Sequence, residues 1–299
     1  MQEKLFNKGE TIIRQGELGE CFYQILEGAV EVIAAEDQAE KKLTDLKAGD
    51  YFGEMAVLEA YPRSATVIAL EDGTRVMEIP GKEIDVYFRK QPAKILELFG
   101  HLSDRLRSLT ADYKEASDVY EALSSRDAKP QGEGLMSRIG KLLGKCFGHR
   151  GDRISAETMR TLKEADFTKG YSRDTVKYNP GTVVFREGEP ARCLYAIHWG
   201  KIGIYADYGT PNEKLLTTLM PGKFFGEMGV SDNAPRSATA VALEEDTTLE
   251  IISPDGLIKL FEMNPPKVDM ILQNLSYRLR KLTQEYTELC GKISEMQKA

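Results

Sequence analysis

The chain carries one sequence unit twice, and this repeat constrains its fold more than any other feature. FGEMAVLEAYPRSATV begins at Phe52 and FGEMGVSDNAPRSATAV begins at Phe225, and the match continues on both sides. Two copies of one unit predict two domains of the same fold. We place the first domain at 1–123 and the second at 177–299, joined by a dissimilar linker at 124–176.

Each copy changes its hydrophobic period partway along. Its first part has short runs rich in β-branched and aromatic residues, such as Cys21 to Leu26, separated by glycine, and these predict the strands of a barrel or sandwich. Past Pro92 in the first copy and Pro265 in the second, apolar residues recur at spacings of three and four, the period of a coiled-coil seam. We therefore expect an α+β, mainly β fold class: two jelly-roll-like β-barrel domains, each followed by a long C-terminal helix with a heptad seam. The seam positions are Phe99, Leu102, Leu106, Leu109, Tyr113, Ala116, Tyr120 and Leu123, then Leu272, Leu275, Leu279, Leu282, Tyr286, Leu289, Ile293 and Met296.

Charge and cysteine content exclude several classes of protein. Lys and Arg number 40 against 47 Asp and Glu, a net charge of −7, whereas duplex-binding proteins usually carry a basic footprint. We expect no nucleic-acid partner. No run of 18 apolar residues, secretory h-region or CxxC pair occurs, and the three histidines share no ligand spacing. These absences predict a cytoplasmic protein without a membrane span, disulfide framework or metal site.

The repeated FGE-(x8)-RSA segment has the features of an anion site. Gly53 lets the backbone approach a ligand, and the residues after it predict one helical turn whose free N–H groups favour an anion. Glu54 and Arg63 lie nine residues apart, and Glu227 and Arg236 keep that spacing. A carboxylate and a guanidinium can together hold a sugar hydroxyl and a phosphate. The alternative is that Glu54 and Arg63 form a structural salt bridge in a tight loop. The same motif with the same spacing in both copies favours an anion pocket.

FGEMAVL-(x3)-PRSATV resembles the phosphate-binding cassette of cyclic nucleotide-binding domains, as in protein kinase A regulatory subunits and the cAMP receptor protein. The resemblance covers nearly all of both copies. It implies that Glu54 and Glu227 hold the ribose 2′-hydroxyl, and that Arg63 and Arg236 pair with the cyclic phosphate. It also implies two binding sites. The first comprises Gly53, Glu54, Met55, Ala56, Arg63, Ser64, Ala65 and Tyr113, and the second Gly226, Glu227, Met228, Gly229, Arg236, Ser237, Ala238 and Tyr286.

The resemblance also bears on the base of the nucleotide. Ser64 and Ser237 stand where a threonine is associated with cGMP, and serine occurs there in the cAMP receptor protein, so we expect cAMP and keep cGMP as the alternative. Tyr113 and Tyr286 are candidates to cover the base, or they pack only in the heptad seam. That seam needs a partner, either the other copy in the same chain or a second chain in a homodimer.

A basic amphipathic segment at 134–151 lies between the copies. It contains no acidic residue, and Leu135, Ile139, Leu142 and Phe147 fall at helical spacing. Such a segment can dock on an effector protein or on a membrane surface, or it can be a linker helix packed on one of the domains. The acidic character of the whole chain makes us favour the packed linker.

These observations predict a non-catalytic intracellular sensor of cyclic nucleotides. We find no nucleophile–base pair, so we expect no enzyme, no cofactor and no metal. No winged helix follows Met296 and no inhibitor sequence precedes Phe6, so we expect helix rearrangement to signal to a protein or membrane partner. The alternative is a coiled-coil scaffold or adaptor with vestigial nucleotide pockets.

Overall fold

The structure is a computed structural model that describes residues 1–36, 39–59, 61–124, 139, 142, 175–230 and 232–298. Its contacts form two compact units. Unit 1 contains Met1–Tyr87, Ser108–Ala156 and Leu275–Ala299, and unit 2 contains Phe88–Arg107 and Glu157–Asn274. Each unit thus combines the β-rich part of one copy with helical segments from both copies. The boundaries drawn from the repeat remain a prediction.

In unit 1, eight strands form two four-stranded antiparallel sheets, in the orders β1-β8-β3-β6 and β2-β7-β4-β5. Ile13, Ile25, Val30 and Val76 belong to one buried cluster that draws on both sheets, so the alternating apolar side chains of the two sheets share one core. The strands are β1 Gln2–Phe6, β2 Thr11–Ile13, β3 Cys21–Glu27, β4 Ala29–Glu36, β5 Ala39–Lys47, β6 Tyr51–Phe52, β7 Thr66–Ala69 and β8 Thr74–Pro80.

Unit 2 repeats this arrangement with the strands of the second copy. Its sheets have the orders β14-β11-β16-β9 and β10-β15-β12-β13, and its core cluster includes Phe185, Ile197, Ile202 and Leu249. The strands are β9 Thr175–Tyr178, β10 Val183–Phe185, β11 Leu194–Trp199, β12 Ile202–Ala206, β13 Lys214–Leu219, β14 Phe224–Phe225, β15 Thr239–Ala242 and β16 Thr247–Ile252.

The predicted closed barrels are wrong, because the described strands of each copy form two open sheets. The hydrogen-bonded order of each sheet ends at edge strands that pair on one side only. The edge strands β2 and β6 have three and two residues, so they offer few backbone groups with which one sheet could join the next. The jelly-roll-like layering in two sheets is what the strand pattern did predict.

The α-helices whose bounds the structure describes are α1 Glu54–Leu58, α2 Ile84–Lys90, α3 Ala93–Ser124, α4 Pro254–Met263 and α5 Pro265–Lys298, and a 3-10 helix at Gly81–Glu83 precedes α2. The long helices α3 and α5 lie where the sequence changes period. Both helices start next to a proline. Proline lacks an N–H, which is tolerated there because the N–H groups of the first turn have no acceptor within the helix.

The long helices bury more than the predicted seam. Leu98, Val119, Arg280 and Cys290 are at most 1% exposed although none is a seam position, whereas the seam residue Met296 is 38% exposed. A strict heptad seam buries a narrower stripe than this. Pairing of the helices along the heptad therefore remains a prediction.

Two other sequence-based expectations concern residues near these helices. Cys290 is disulfide-bonded, whereas the sequence led us to expect no disulfide framework. Sequence spacing cannot show such a bond, because it joins residues that only the fold brings together.

Most of the basic segment 134–151 lies outside the described residues. Its two described residues, Ile139 and Leu142, are helical and buried, as a packed linker requires. Among the described residues, no helix has the length and apolar character needed to cross a membrane.

Candidate functional site

The first copy of the repeated segment forms a glycine turn followed by the short helix α1. Gly53 has a φ of 75°, and a Cβ built on it would lie 2.6 Å from Nη1 of Arg63. Both the left-handed backbone and the close approach therefore require glycine. Glu54 follows at the first position of α1 with 2% exposure, so the turn predicted from sequence carries a buried carboxylate.

Arg63 is held against this turn by its side chain and its backbone. Its Nη1 donates to the carbonyl of Gly53 over 2.7 Å, and its Nη2 donates to the carbonyl of Cys21. Its backbone N–H donates to Glu17 over 2.8 Å, while its carbonyl accepts from Gly16 over 2.9 Å. The guanidinium is thus fixed beside the glycine turn and the N-terminus of α1.

The charge of Arg63 is disfavoured by its surroundings. The side chain is 6% exposed, and burial lowers the pKa of Arg63, while Tyr23, Cys21 and Glu54 oppose that shift. A bound anion would favour the charged form of such a group. The arrangement is therefore suited to holding a phosphate.

The second copy repeats these contacts with the same register. Gly226 also has a φ of 75°, and Glu227 and Arg236 are 1% and 5% exposed. The Arg236 side chain donates to the carbonyl of Gly226 and, over 2.8 Å, to the carbonyl of Cys193. The carbonyl of Arg236 accepts from the N–H of Gly188 over 2.9 Å, and the N–H of Arg236 donates to the carbonyl of Glu189 over 2.8 Å. The equivalent backbone groups form the same two bonds in the first copy.

The two sites differ at the position of Ala56 and Gly229. Ala56 lies in α1, whereas Gly229 has a φ of 85° and a Cβ built on it would meet that of Ala234 at 2.8 Å. The second segment consequently forms a turn in place of a helix. The Arg236 guanidinium also lies 4.1 Å from the centre of the Phe185 ring, a cation–π contact with a residue whose counterpart in the first copy is Ile13.

The remaining predicted residues are placed as follows. Met55, Ala56, Ala65 and Ala238 are buried around the two cassettes, and the exposed Ser237 hydroxyl contacts the Met228 sulfur at 3.6 Å. Ser64 and Met228 are half-buried.

The two aromatic candidates on the long helices both belong to unit 1. Tyr113 is half-buried, and Tyr286 is fully buried, with its pKa raised by burial and by Asp112 and Glu115. Unit 1 contains the first cassette and unit 2 the second. The assignment of Tyr286 to the second site therefore stays a prediction.

Sequence reasoning missed Gly19 and the backbone role of the loop at 16–17. A Cβ built on Gly19 would overlap the Arg63 guanidinium. The equivalent residue in the second copy is Ala191, so comparison of the copies gave no signal at this position. Gly16 and Gly188 do match between the copies, and that match could have pointed to the loop. No group of three metal-ligating side chains occurs among the residues that the structure describes.

Comparison with known proteins agrees with this geometry. The sequence profile described as "Cyclic nucleotide-binding domain" matches residues 3–91 and 175–264. The cAMP-dependent protein kinase regulatory subunit of Blastocladiella emersonii is 26% identical over 292 residues, which are 97% of this chain and 57% of that protein. The chain thus spans little more than half the length of that relative.

Two further proteins are similar to this chain. The cyclic AMP receptor protein of Thermus thermophilus is 29% identical over 194 residues, covering 62% of this chain and 84% of that protein. The regulatory domain of Toxoplasma gondii PKA, crystallised with cAMP, is 20% identical and covers 91% of this chain and 84% of that one, with a TM-score of 0.28. The family profile matches both copies of the repeat and more than half of the residues of the chain, so the chain belongs to the cyclic nucleotide-binding domain family.

Proposed function

We propose that the protein is a non-catalytic sensor that binds one cAMP molecule in each copy of the repeat. The observation that carries this proposal is the paired burial of a carboxylate and a guanidinium beside a left-handed glycine, at Glu54 and Arg63 and again at Glu227 and Arg236. The carboxylates would accept from the ribose 2′-hydroxyl, and the guanidinium groups would bind the cyclic phosphate.

The preference for cAMP over cGMP is supported by the serine after each arginine. Ser64 and Ser237 lack the methyl group of the threonine associated with guanine recognition, and serine stands at this position in the cAMP receptor protein. The names of the relatives, a cAMP-dependent kinase regulatory subunit and a cyclic AMP receptor protein, point to the same ligand. Binding without turnover also fits the site, because a glutamate and an arginine supply hydrogen bonds and charge but do not form a nucleophile–base pair.

We infer that the signal passes through the long helices α3 and α5 to a protein partner. Both helices contribute residues to unit 1 and to unit 2, so a change beside either cassette has a helical neighbour on which to act. Burial of Ile139 and Leu142 speaks against a free membrane-binding face at 134–151. Flotation with anionic liposomes, with and without cAMP, tests this point, and membrane binding that Leu142→Asp abolishes would contradict it.

Calorimetry of the full chain with cAMP, cGMP and AMP tests the ligand and the stoichiometry together. We expect two cAMP molecules per chain, weaker binding of cGMP and none of AMP. Arg63→Ala should silence the first site alone and Arg236→Ala the second alone, because each removes a charge-assisted bond worth about 1.5–3 kcal/mol. Unchanged affinity at both sites in the double variant would refute the proposal and favour the scaffold with vestigial pockets.

A further inference from the structure

Two ion pairs recur at equivalent positions of the repeat, and each joins a long helix of one copy to the cassette of the other. Arg280 of α5 pairs with Glu59 at the end of α1, with Nε and Oε2 2.9 Å apart. Arg107 of α3 pairs with Asp232, with Nη2 and Oδ2 2.9 Å apart. The arginines are 173 positions apart, and so are the two acids. The first pair lies within unit 1 and the second within unit 2.

The pair in unit 1 is fully buried. The side chains of Glu59 and Arg280 are both 0% exposed, and the hydroxyl of Ser276 donates to the other carboxylate oxygen of Glu59. The Arg280 guanidinium also lies 4.6 Å from the centre of the Tyr61 ring. One side chain of α5 therefore contacts the first cassette at two residues between α1 and Arg63.

The pair in unit 2 is bidentate and more exposed. The two terminal nitrogens of Arg107 donate to the two carboxylate oxygens of Asp232 over 3.1 and 2.9 Å, and the side chains are 30% and 46% exposed. Asp232 also accepts from the N–H of Ala234 over 3.1 Å. It thereby shapes the loop that leads to Arg236.

We propose that Arg280 is a positioning residue for nucleotide binding in the first copy, and that Arg107 is the positioning residue in the second. α1 has only five residues, so it spans about 7.5 Å at 1.5 Å per residue and moves as one turn. Holding Glu59 at its C-terminal end therefore fixes Gly53 and Glu54 at its N-terminal end. The inference rests on the proposed binding of cAMP at the two cassettes.

The difference in burial makes the two arginines unequal. Loss of Arg280 takes from the buried carboxylate of Glu59 the guanidinium that pairs with it, and removing one partner of a buried pair is strongly unfavourable. Loss of Arg107 frees an acid that water already reaches, and exposed ion pairs contribute little. The first site should therefore depend on Arg280 more than the second depends on Arg107.

The test is calorimetry with cAMP on the full chain, in which the affinity of one site is measured at a time. Arg236→Ala silences the second site so that the first is measured, and Arg63→Ala silences the first so that the second is measured. Arg280→Gln should weaken the first site by about tenfold or more, as expected for a buried pair, and leave the second within about twofold. Arg107→Gln should weaken the second site by up to about fivefold and leave the first unchanged.

The number of binding sites separates positioning from a loss of folding. Arg280 and the first cassette both belong to unit 1, so a folding defect there would lower the number of first sites per chain, whereas lost positioning lowers their affinity and leaves their number unchanged. If Arg280→Gln weakens the second site as much as the first, or leaves the first unchanged, the inference is overturned. Failure of the unaltered chain to bind cAMP at all would instead overturn the proposed function, so the two failures are distinguishable.

The charge-conserving variant Arg107→Lys guards against a variant that does not fold. Arg107→Glu adds a third acid beside Asp104 and Asp232 and should weaken the second site further than Arg107→Gln does. Arg107→Lys keeps a cation at this position and leaves Asp232 in place to accept from Ala234, so the second site should stay within about twofold of its starting affinity. A second site that Arg107→Lys weakens as much as Arg107→Glu does would count against a positioning role for Arg107.

Discussion

Lys267 and Glu250 form a buried ion pair, with Nζ and Oε2 2.7 Å apart and side chains 2% and 0% exposed. His198 contacts the same carboxylate oxygen at 2.7 Å. The pair ties the first turn of α5 to β16 inside unit 2. In the first copy the position of Glu250 is Met77, and the lysine equivalent to Lys267 is Lys94, which pairs on the surface with Glu97. The two copies therefore anchor their long helices by different chemistry.

We expect Lys267→Met to destabilise the protein far more than Lys94→Met. Removing one partner of a buried pair leaves an uncompensated charge and costs about 3–5 kcal/mol. The exposed i,i+3 pair of Lys94 is worth about 0.2–0.5 kcal/mol. Urea denaturation of the two variants measures the difference in the free energy of unfolding. Equal losses would show that the buried pair contributes no more than the surface pair.

The same carboxylate predicts a dependence of stability on acid. Burial alone would raise the pKa of Glu250, but the hydrogen bonds from His198 and Lys267 outweigh it and hold the pKa below its ordinary value of 4.5. A depressed carboxylate pKa contributes stability above the ordinary value, and that contribution is lost as the pH falls through the folded-state value. Glu250→Gln should therefore flatten the acid side of the stability profile below about pH 4.5.

The matched control for the acid profile is Glu244→Gln. Glu244 pairs with Lys201 on the surface, with side chains 43% and 38% exposed. Its loss should leave the profile of the unaltered chain in place. Denaturation midpoints measured from pH 7 down to pH 3 give both curves. A Glu250→Gln variant with the slope of the unaltered chain would refute the assigned role of Glu250.

The sequence predicted what is local and repeated. The glycine turn, the carboxylate after it and the arginine nine residues on all lie within one short segment, so their meeting needed no knowledge of the fold. Arg280 and Glu59 lie far apart in sequence, and the spacing of residues within a segment cannot show such a contact. Whether the sheets close into a barrel could not be predicted for the same reason, because alternation within a strand does not show which strand edges pair.

We expect Gly19→Ala to weaken the first site selectively. A methyl group at this position would overlap the Arg63 guanidinium, so the arginine would have to shift, although Arg236 keeps its bond to Gly226 beside Ala191 in the second copy. The affinity for cAMP, measured in the Arg236→Ala background, should therefore fall by up to about tenfold, less than for the loss of the whole arginine. The control is Ala191→Gly at the equivalent position, read in the Arg63→Ala background, where no overlap is relieved and the second site should keep its affinity. Full affinity of the first site in Gly19→Ala would show that the guanidinium can bind from another position.

Binding of cAMP should change the long helices as well as the cassettes. The arginines of the two ion pairs join α5 to the first cassette and α3 to the second, so a ligand that favours one cassette position also favours one helix position. Hydrogen exchange with and without cAMP should therefore show altered protection at 99–123 or 272–296, in addition to 52–67 and 225–241. The double variant Arg63→Ala with Arg236→Ala is the control, and cAMP should leave its exchange unchanged. Altered protection confined to the two cassettes in the unaltered chain would mean that the helices take no part in the response.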